Sequence, residues 1–305
     1  MVLSVIALAG FVATQFAVPS SAATAPLKDV REIAHFDVTA QQQPENIALE
    51  PGGALDVTFN RARQVARVAP DGSVTVLATL PAPATGAASA AGIVRGPDGY
   101  LYVNYNSGAR SGIWRIGPDG GVPTQVVALP DVKALNGLAF DRGGNALYAT
   151  DSSSGTVWKV SLTTRTAALW AQGREFESTA GVGIAANGVK VHNGAVWVSN
   201  TDQGTLLRVA IGAHGAAGVV TTVAQGITAI DDFAFLGVGD TVLAAQNYVS
   251  QVSIVRPDGT HQTVLTAADG LSNPTSVAVR GSTAYVASGA YFTRVDPNVL
   301  LVRLS

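Results

Sequence analysis

The sequence predicts an all-β fold, a six-bladed β-propeller with four antiparallel strands per blade, on three observations. A unit of about 45 residues recurs six times, each copy holds short β-rich runs separated by tight-turn residues, and no window sustains a 3.6-residue period. The recurrence is clearest in six aligned segments: Asn46 to Leu49, Gly92 to Arg95, Gly137 to Phe140, Gly188 to Val191, Asp232 to Phe235 and Ser276 to Val279. Their starts lie 44 to 51 residues apart.

Each first segment is followed by a turn and a second strand: Leu55 to Phe59, Leu101 to Tyr105, Leu147 to Asp151, Val196 to Asn200, Val242 to Gln246 and Ala284 to Ser288. Third strands follow, among them Gln64 to Val68, Gly112 to Ile116, Thr156 to Val160 and Gln251 to Val255. Turns such as Pro70-Asp71-Gly72 and Pro257-Asp258-Gly259 supply the hairpin chemistry that antiparallel blades need. One domain over residues 24–305 results, with blades near 44–81, 90–129, 134–171, 184–225, 228–266 and 272–305. A propeller must close its ring, and Val30 to Phe36 resembles a fourth strand that completes the last blade. The tail Val299 to Leu304 also reads as a fourth strand, so the sequence offers one strand more than closure requires.

Composition narrows the function. The chain has 305 residues, of which only 13% are charged, so hydroxyls, amides and backbone must cover much of its surface. A formal net charge of −2 without a basic run excludes the electrostatic footprint of a nucleic-acid partner. With no cysteine, thiolate nucleophiles, disulfides and cysteine–zinc sites are excluded together. The apolar run Val2 to Val18, followed by Pro19 to Ala23, predicts a signal peptide over residues 1–23, hence a secreted protein with no membrane attachment after cleavage. A monomer acting on a small-molecule substrate is expected.

Comparing the copies with one another separates scaffold from site. Tyr102, Tyr148, Trp197 and Tyr285 recur at one place of the second strand and are assigned to packing between blades. Just before each first segment stand Glu45, Ala91, Asn136, Asn187, Asp231 and Thr275, where an innermost strand begins at the channel mouth. Two carboxylates and two amides from four blades form an oxygen-donor ring suited to a divalent metal, Ca²⁺ in particular: Glu45, Asn136, Asn187 and Asp231. The competing assignment makes Asn136 and Asn187 turn caps and has Glu45 and Asp231 accept from backbone N–H groups. Around the ring, the loops after the second strands predict a substrate-binding rim with Asn104, Asn106, Asp151, Asn200, Gln246 and Tyr248, and with Tyr291-Phe292 beside them. The connection Ala171 to Ala186, with Arg174 to Glu177, is the candidate lid.

At Pro44-Glu45-Asn46 and Leu135-Asn136-Gly137-Leu138 the chain resembles the gluconolactonase and regucalcin (senescence-marker protein) family of six-bladed propellers, with a looser likeness to NHL-repeat and strictosidine-synthase-like propellers. The resemblance implies a metal glutamate at Glu45, a metal asparagine at Asn136, and a divalent-metal-dependent hydrolase of lactone-like esters. Asn187-Gly188 stands where that family has an aspartate that is both ligand and proposed base, and Ala90-Ala91 replaces a further ligand motif. Asn187 therefore occupies the catalytic position without a base's chemistry, and Asp231 is the substitute base. Asn187 to Val191 and Asp231 to Ala234 also look like a secreted microbial and fungal branch, some of whose members act in natural-product pathways. A metal-free enzyme or binder in such a pathway, and an NHL-like protein-interaction scaffold, are the alternatives.

Overall fold

The computed structural model describes residues 27–304 except 142, 144, 180 and 182. The predicted signal peptide lies outside the described residues. Six four-stranded antiparallel sheets form the blades, and they hold nearly all the regular structure. Three 3₁₀ turns, Gly108–Arg110, Ala213–Gly215 and Ala267–Asp269, are the helical elements among the described residues. None is long and apolar enough to cross a membrane.

The innermost strands are Pro44–Leu49, Ser89–Arg95, Leu135–Asp141, Ala186–His192, Ile230–Phe235 and Pro274–Arg280. In blades one to five the chain steps outward strand by strand, so each sheet is a simple meander. Blade six differs. There Pro274–Arg280 and Thr283–Ser288 are followed by Asn298–Leu304 as the third strand, and Leu27–His35 supplies the outermost fourth. The tail is thus a third strand, not a fourth, and the surplus strand disappears. The loop that delays it, residues 289–297, is much longer than the four- or five-residue turns at the same place in the other blades.

Sheet faces pack against neighbouring sheets, so the core is divided among the gaps between blades. Tyr102, Tyr148, Trp197 and Tyr285 are all buried in these gaps. Tyr148, for instance, packs with Val189, Val196 and Val198 of the next blade. Strand alternation explains the pattern: every second side chain enters a gap, and two sheet faces must fill the space between them.

Near the channel axis the blades approach backbone to backbone. A Cβ on Gly92 would lie 2.3 Å from the Asn136 carbonyl oxygen, and one on Gly137 would lie 2.5 Å from that of Asn187. Gly188 would meet Asp232 at 2.6 Å. These glycines are required by close approach of adjacent innermost strands, and they make a waist in the channel.

Candidate functional site

All six innermost strands carry a register irregularity at the same place. Pairing with the second strand jumps between Pro44 and Ile47, Ala90 and Ile93, Leu135 and Leu138, Ala186 and Val189, Ile230 and Phe233, and Pro274 and Ser276. The residues inside these bulges are Glu45, Ala91, Asn136, Asn187, Asp231 and Thr275, the ring positions predicted from the repeat. A bulge frees one residue from the ladder and re-aims its side chain, which is how an antiparallel sheet presents a functional group at its edge.

A stitch between blades holds these bulges in place. The second-strand residue facing each bulge is Thr58, Asn104, Thr150 or Ser199 in the first four blades. The Thr58 hydroxyl accepts from the Asn46 N–H at 3.1 Å and donates to the Ala91 carbonyl of the next blade at 2.7 Å. The Asn104 amide donates to the Asn136 and Gly137 carbonyls at 2.8 and 2.9 Å. Thr150 donates to the Asn187 carbonyl and Ser199 to that of Asp231. Asn247 reaches the Pro274 carbonyl at 3.3 Å, and Thr275 closes the circle on the Pro44 carbonyl at 3.1 Å. Ala91, Asn136, Asn187 and Asp231 are therefore held through their own carbonyls by the preceding blade, 32 to 37 residues away, and Thr275 and Glu45 through the proline before each. Buried carbonyls need such partners, and the stitch satisfies them.

Within the ring, Glu45 and Asp231 are both buried carboxyls. Burial pushes Glu45 up to about 7, against the hydrogen bond donated by the Tyr291 hydroxyl, and the negative field of Asp232 pushes the same way as burial. Asp231 is pushed well above the usual carboxylate range, first by burial and then by the fields of Glu45 and Asp232, with the Asn187 and Asn247 amides opposing. Two like-charged groups in one dry site cannot both ionise cheaply. The Asn187 amide nitrogen donates to the Thr201 hydroxyl at 2.9 Å, while its Oδ1 is buried without a partner.

This donor set fits a hard divalent cation. Glu45 and Asp231 would contribute two negative charges, the orphaned Asn187 oxygen a third ligand, and Asn136 lines the same mouth. Ala91 and Thr275 complete the ring without contributing charge. Among the described residues, three acidic or histidine groups whose ligand atoms lie within 4.8 Å of one another occur at Glu32, His35 and Asp296. That cluster is a hydrogen-bonded seam where the fourth strand closes the ring, with His35 Nδ1 at 2.7 Å from Asp296.

The mouth is a cavity of about 350 Å³, bounded by Glu45, Ala91, Asn136, Asn60, Asn106 and Ser152 among others. Of the predicted rim residues, Asn106 lines it, though its amide is spent bonding Leu135 in both directions at 2.8 Å. Asn104, Asp151, Asn200 and Gln246 are buried and hold backbone. Asp151 accepts from the Lys133, Ala134 and Ser153 N–H groups, Asn200 donates to the Glu175 and Glu177 carbonyls, and Gln246 to that of Thr228. Tyr248 lies in a neighbouring cleft of about 300 Å³ with Thr201 and Asp202, its ring edge-to-face with Phe292 at 4.9 Å. Burial, then the fields of Asp231, Asp202 and Glu45, push its hydroxyl to about 12, so it stays a proton donor beside the carboxyl pair.

The sequence names Tyr291 on the rim and Phe176 in the lid, but not the contacts they make. Tyr291, carried by the long loop of blade six, reaches across the ring seam to Glu45 of blade one. In the candidate lid, Phe176 is fully buried, and Gln203 and Asn200 tie the adjacent backbone down. The lengthened blade-six loop was a signal for the first. The aromatic within a charged stretch, Arg174 to Glu177, was a signal for the second.

Comparison with known proteins places this architecture. A gluconolactonase from Xanthomonas campestris superposes with a TM-score of 0.69 over 93% of each chain at 17% identity. A PQQ-bound aldose sugar dehydrogenase from Streptomyces coelicolor gives 0.66 over 90% of this chain and 98% of that one at 18% identity. Virginiamycin B lyase from Staphylococcus aureus, a catalytically inactive form with quinupristin, gives 0.61 over 91% and 99% at 14% identity. At these identities the likeness is one of fold. No curated protein matches the sequence. Residues 52–231, more than half of the sequence, match the family described as a repeat of unknown function (DUF6923), and the chain belongs to that family.

Proposed function

We propose that this propeller is an exported, monomeric hydrolase of small lactone-like esters, acting at the channel mouth with a divalent cation held by Glu45, Asn136, Asn187 and Asp231. The observation that carries the reading is the buried Glu45–Asp231 pair, whose fields act on each other, beside the Asn187 oxygen that the protein leaves without a partner. When bound, a divalent cation supplies Lewis-acid polarisation of the ester carbonyl and holds both carboxylates ionised. Asp231, oriented by the Asn187 and Asn247 amides, then accepts a proton from the attacking water. The water oxygen bonds the carbonyl carbon, the ring C–O bond breaks, and the proton on Asp231 passes to the departing alkoxide to leave a hydroxy acid. Asn187 cannot serve as base, since an amide accepts no proton at neutral pH. Tyr291 fixes the Glu45 carboxylate, and the Tyr248 hydroxyl beside the pair can donate to the substrate.

The raised ionisation of Asp231 supports a second reading, in which the pair without a cation shares a proton and Asp231 acts as a general acid. Hydrolysis of a panel of aliphatic lactones by chelator-treated protein, with and without added calcium, magnesium or manganese, separates the two. Cation-dependent turnover that Asp231→Asn abolishes at saturating metal supports the hydrolase. Turnover unaffected by chelator supports the metal-free site. Absence of lactone hydrolysis under every condition, together with a melting curve unmoved by any of these cations, would refute the metal-hydrolase reading.

A further inference from the structure

The opposite end of the channel is built differently. A cavity of about 680 Å³ opens there, bounded by the C-terminal halves of all six innermost strands. Its volume lies within the range of small-molecule sites, and is nearly twice that of the mouth around Glu45. Leu49, Val94, Phe140, Val191, Phe235 and Val279, one from each blade, are only half-buried around it. One residue inward or alongside, the repeat places Ala48, Ala139, Ala234 and Ala278, whose small side chains leave the lumen open.

The charge of this end also differs. The cavity lining includes Arg95, Lys190 and Arg280 and no carboxylate. Lys190 is neutralised at the waist by Asp232 at 2.5 Å, and Asp232 also accepts from the Ser276 hydroxyl. At the rim, Arg67, Arg95 and Arg280 gather around Glu50 and Asp56, and the field of Asp119 also reaches Arg67. Arg95 gives one N–H to the Glu50 carboxylate and Arg280 one to the Glu50 backbone carbonyl, and a guanidinium carries five donors.

We propose that this far mouth is a second ligand site, separate from the carboxylate ring, for an amphipathic anion: an unbranched apolar chain lying in the lumen with a terminal carboxylate at Arg95 and Arg280. The strand halves are four residues deep, about 13 Å, which suits an extended medium-length alkyl chain. The apolar staves desolvate the chain and the rim guanidiniums recognise the charge, a division of labour common in small-molecule pockets.

Decanoate is the probe, with decanamide and decyltrimethylammonium as neutral and cationic counterparts, each below its micellar concentration. Titration calorimetry, with tryptophan emission as a second readout because Trp197 packs against Phe235 at 5.2 Å, should show decanoate binding at least about tenfold more tightly than either counterpart. Arg95→Gln combined with Arg280→Gln should erase that preference. Ala234→Leu, which fills the lumen without touching the rim, should weaken decanoate and decanamide together, and covers the case in which the double variant fails to fold. The calcium response and any lactone hydrolysis should persist in Ala234→Leu, so that failure here is distinct from failure at the other mouth. No decanoate binding, equal binding of all three probes, or decanoate binding unchanged in Ala234→Leu would overturn the proposal.

Discussion

Replacing Glu45 by Gln tests the electrostatics of the ring with opposite signs in the absence and presence of a cation. Folding raises the Glu45 carboxyl from 4.5 to about 7, chiefly by burial. The folded state therefore binds this proton more tightly than the unfolded chain does. That contribution is complete below about pH 4.5 and is lost as pH rises towards about 7. At a fully buried site a rise from 4.5 to about 7 corresponds to about 3 kcal/mol. Gln cannot ionise, nearly matches Glu in volume and keeps an oxygen for the Tyr291 hydroxyl, so in chelator at pH 8 the variant should be more stable than the parent by about that amount. With an unfolding entropy of about 2.1 cal/mol/K per residue over roughly 280 residues, about 3 kcal/mol is a rise of about 5 °C in Tm. Scanning calorimetry at pH 5, 6.5 and 8 in chelator should show the two proteins melting alike at the acid end and diverging upward. Added calcium should raise the parent at pH 8 and leave the variant unmoved, since a ligand that binds only the folded state stabilises in proportion to its occupancy. A variant that melts at or below the parent at pH 8 in chelator would refute the reasoning, because Glu45 would then be a satisfied anion rather than a desolvated one.

Three further outcomes follow from the scaffold. Gly137→Ala places a methyl 2.5 Å from the Asn187 carbonyl oxygen, so it should cost about 1–3 kcal/mol in denaturant titration and blunt any calcium response by displacing Asn187. Arg67 bonds Asp56 at 2.8 and 3.0 Å and Glu50 at 3.0 Å, and Asp56 is fully buried, so Arg67→Met should cost about 3 kcal/mol near pH 7 and less at acid pH, where the abandoned carboxyl is protonated. Removing residues up to Phe36 strips the fourth strand from blade six, uncovering Leu300 and Val302 of the closing sheet. Melting temperature should fall by many degrees and light scattering should report edge-to-edge association, whereas an unchanged melt would mean the ring closes without that strand.

What could be read from the chain alone is whatever repeats locally. Strand runs, hairpin turns and the 44- to 51-residue period are written in neighbouring residues, so the six-bladed fold and the ring positions Glu45, Ala91, Asn136, Asn187, Asp231 and Thr275 emerge by comparing the copies. The tertiary structure decided which polar groups are free to act. Asn104 and Asn200 look like rim donors in sequence, yet their amides satisfy carbonyls 23 to 33 residues away, Asn104 completing the bulge of the next blade and Asn200 tying down the connection before its own blade. Tyr291 meets Glu45 across 246 residues only because the ring closes, and the same closure turns the C-terminal run Asn298–Leu304 into a third strand with Leu27–His35 outside it. A residue's alternation along a strand is a property of its own backbone. Whether its polar atoms face ligand or another blade's carbonyl depends on how six sheets pack around one axis, and local sequence carries no record of that distance.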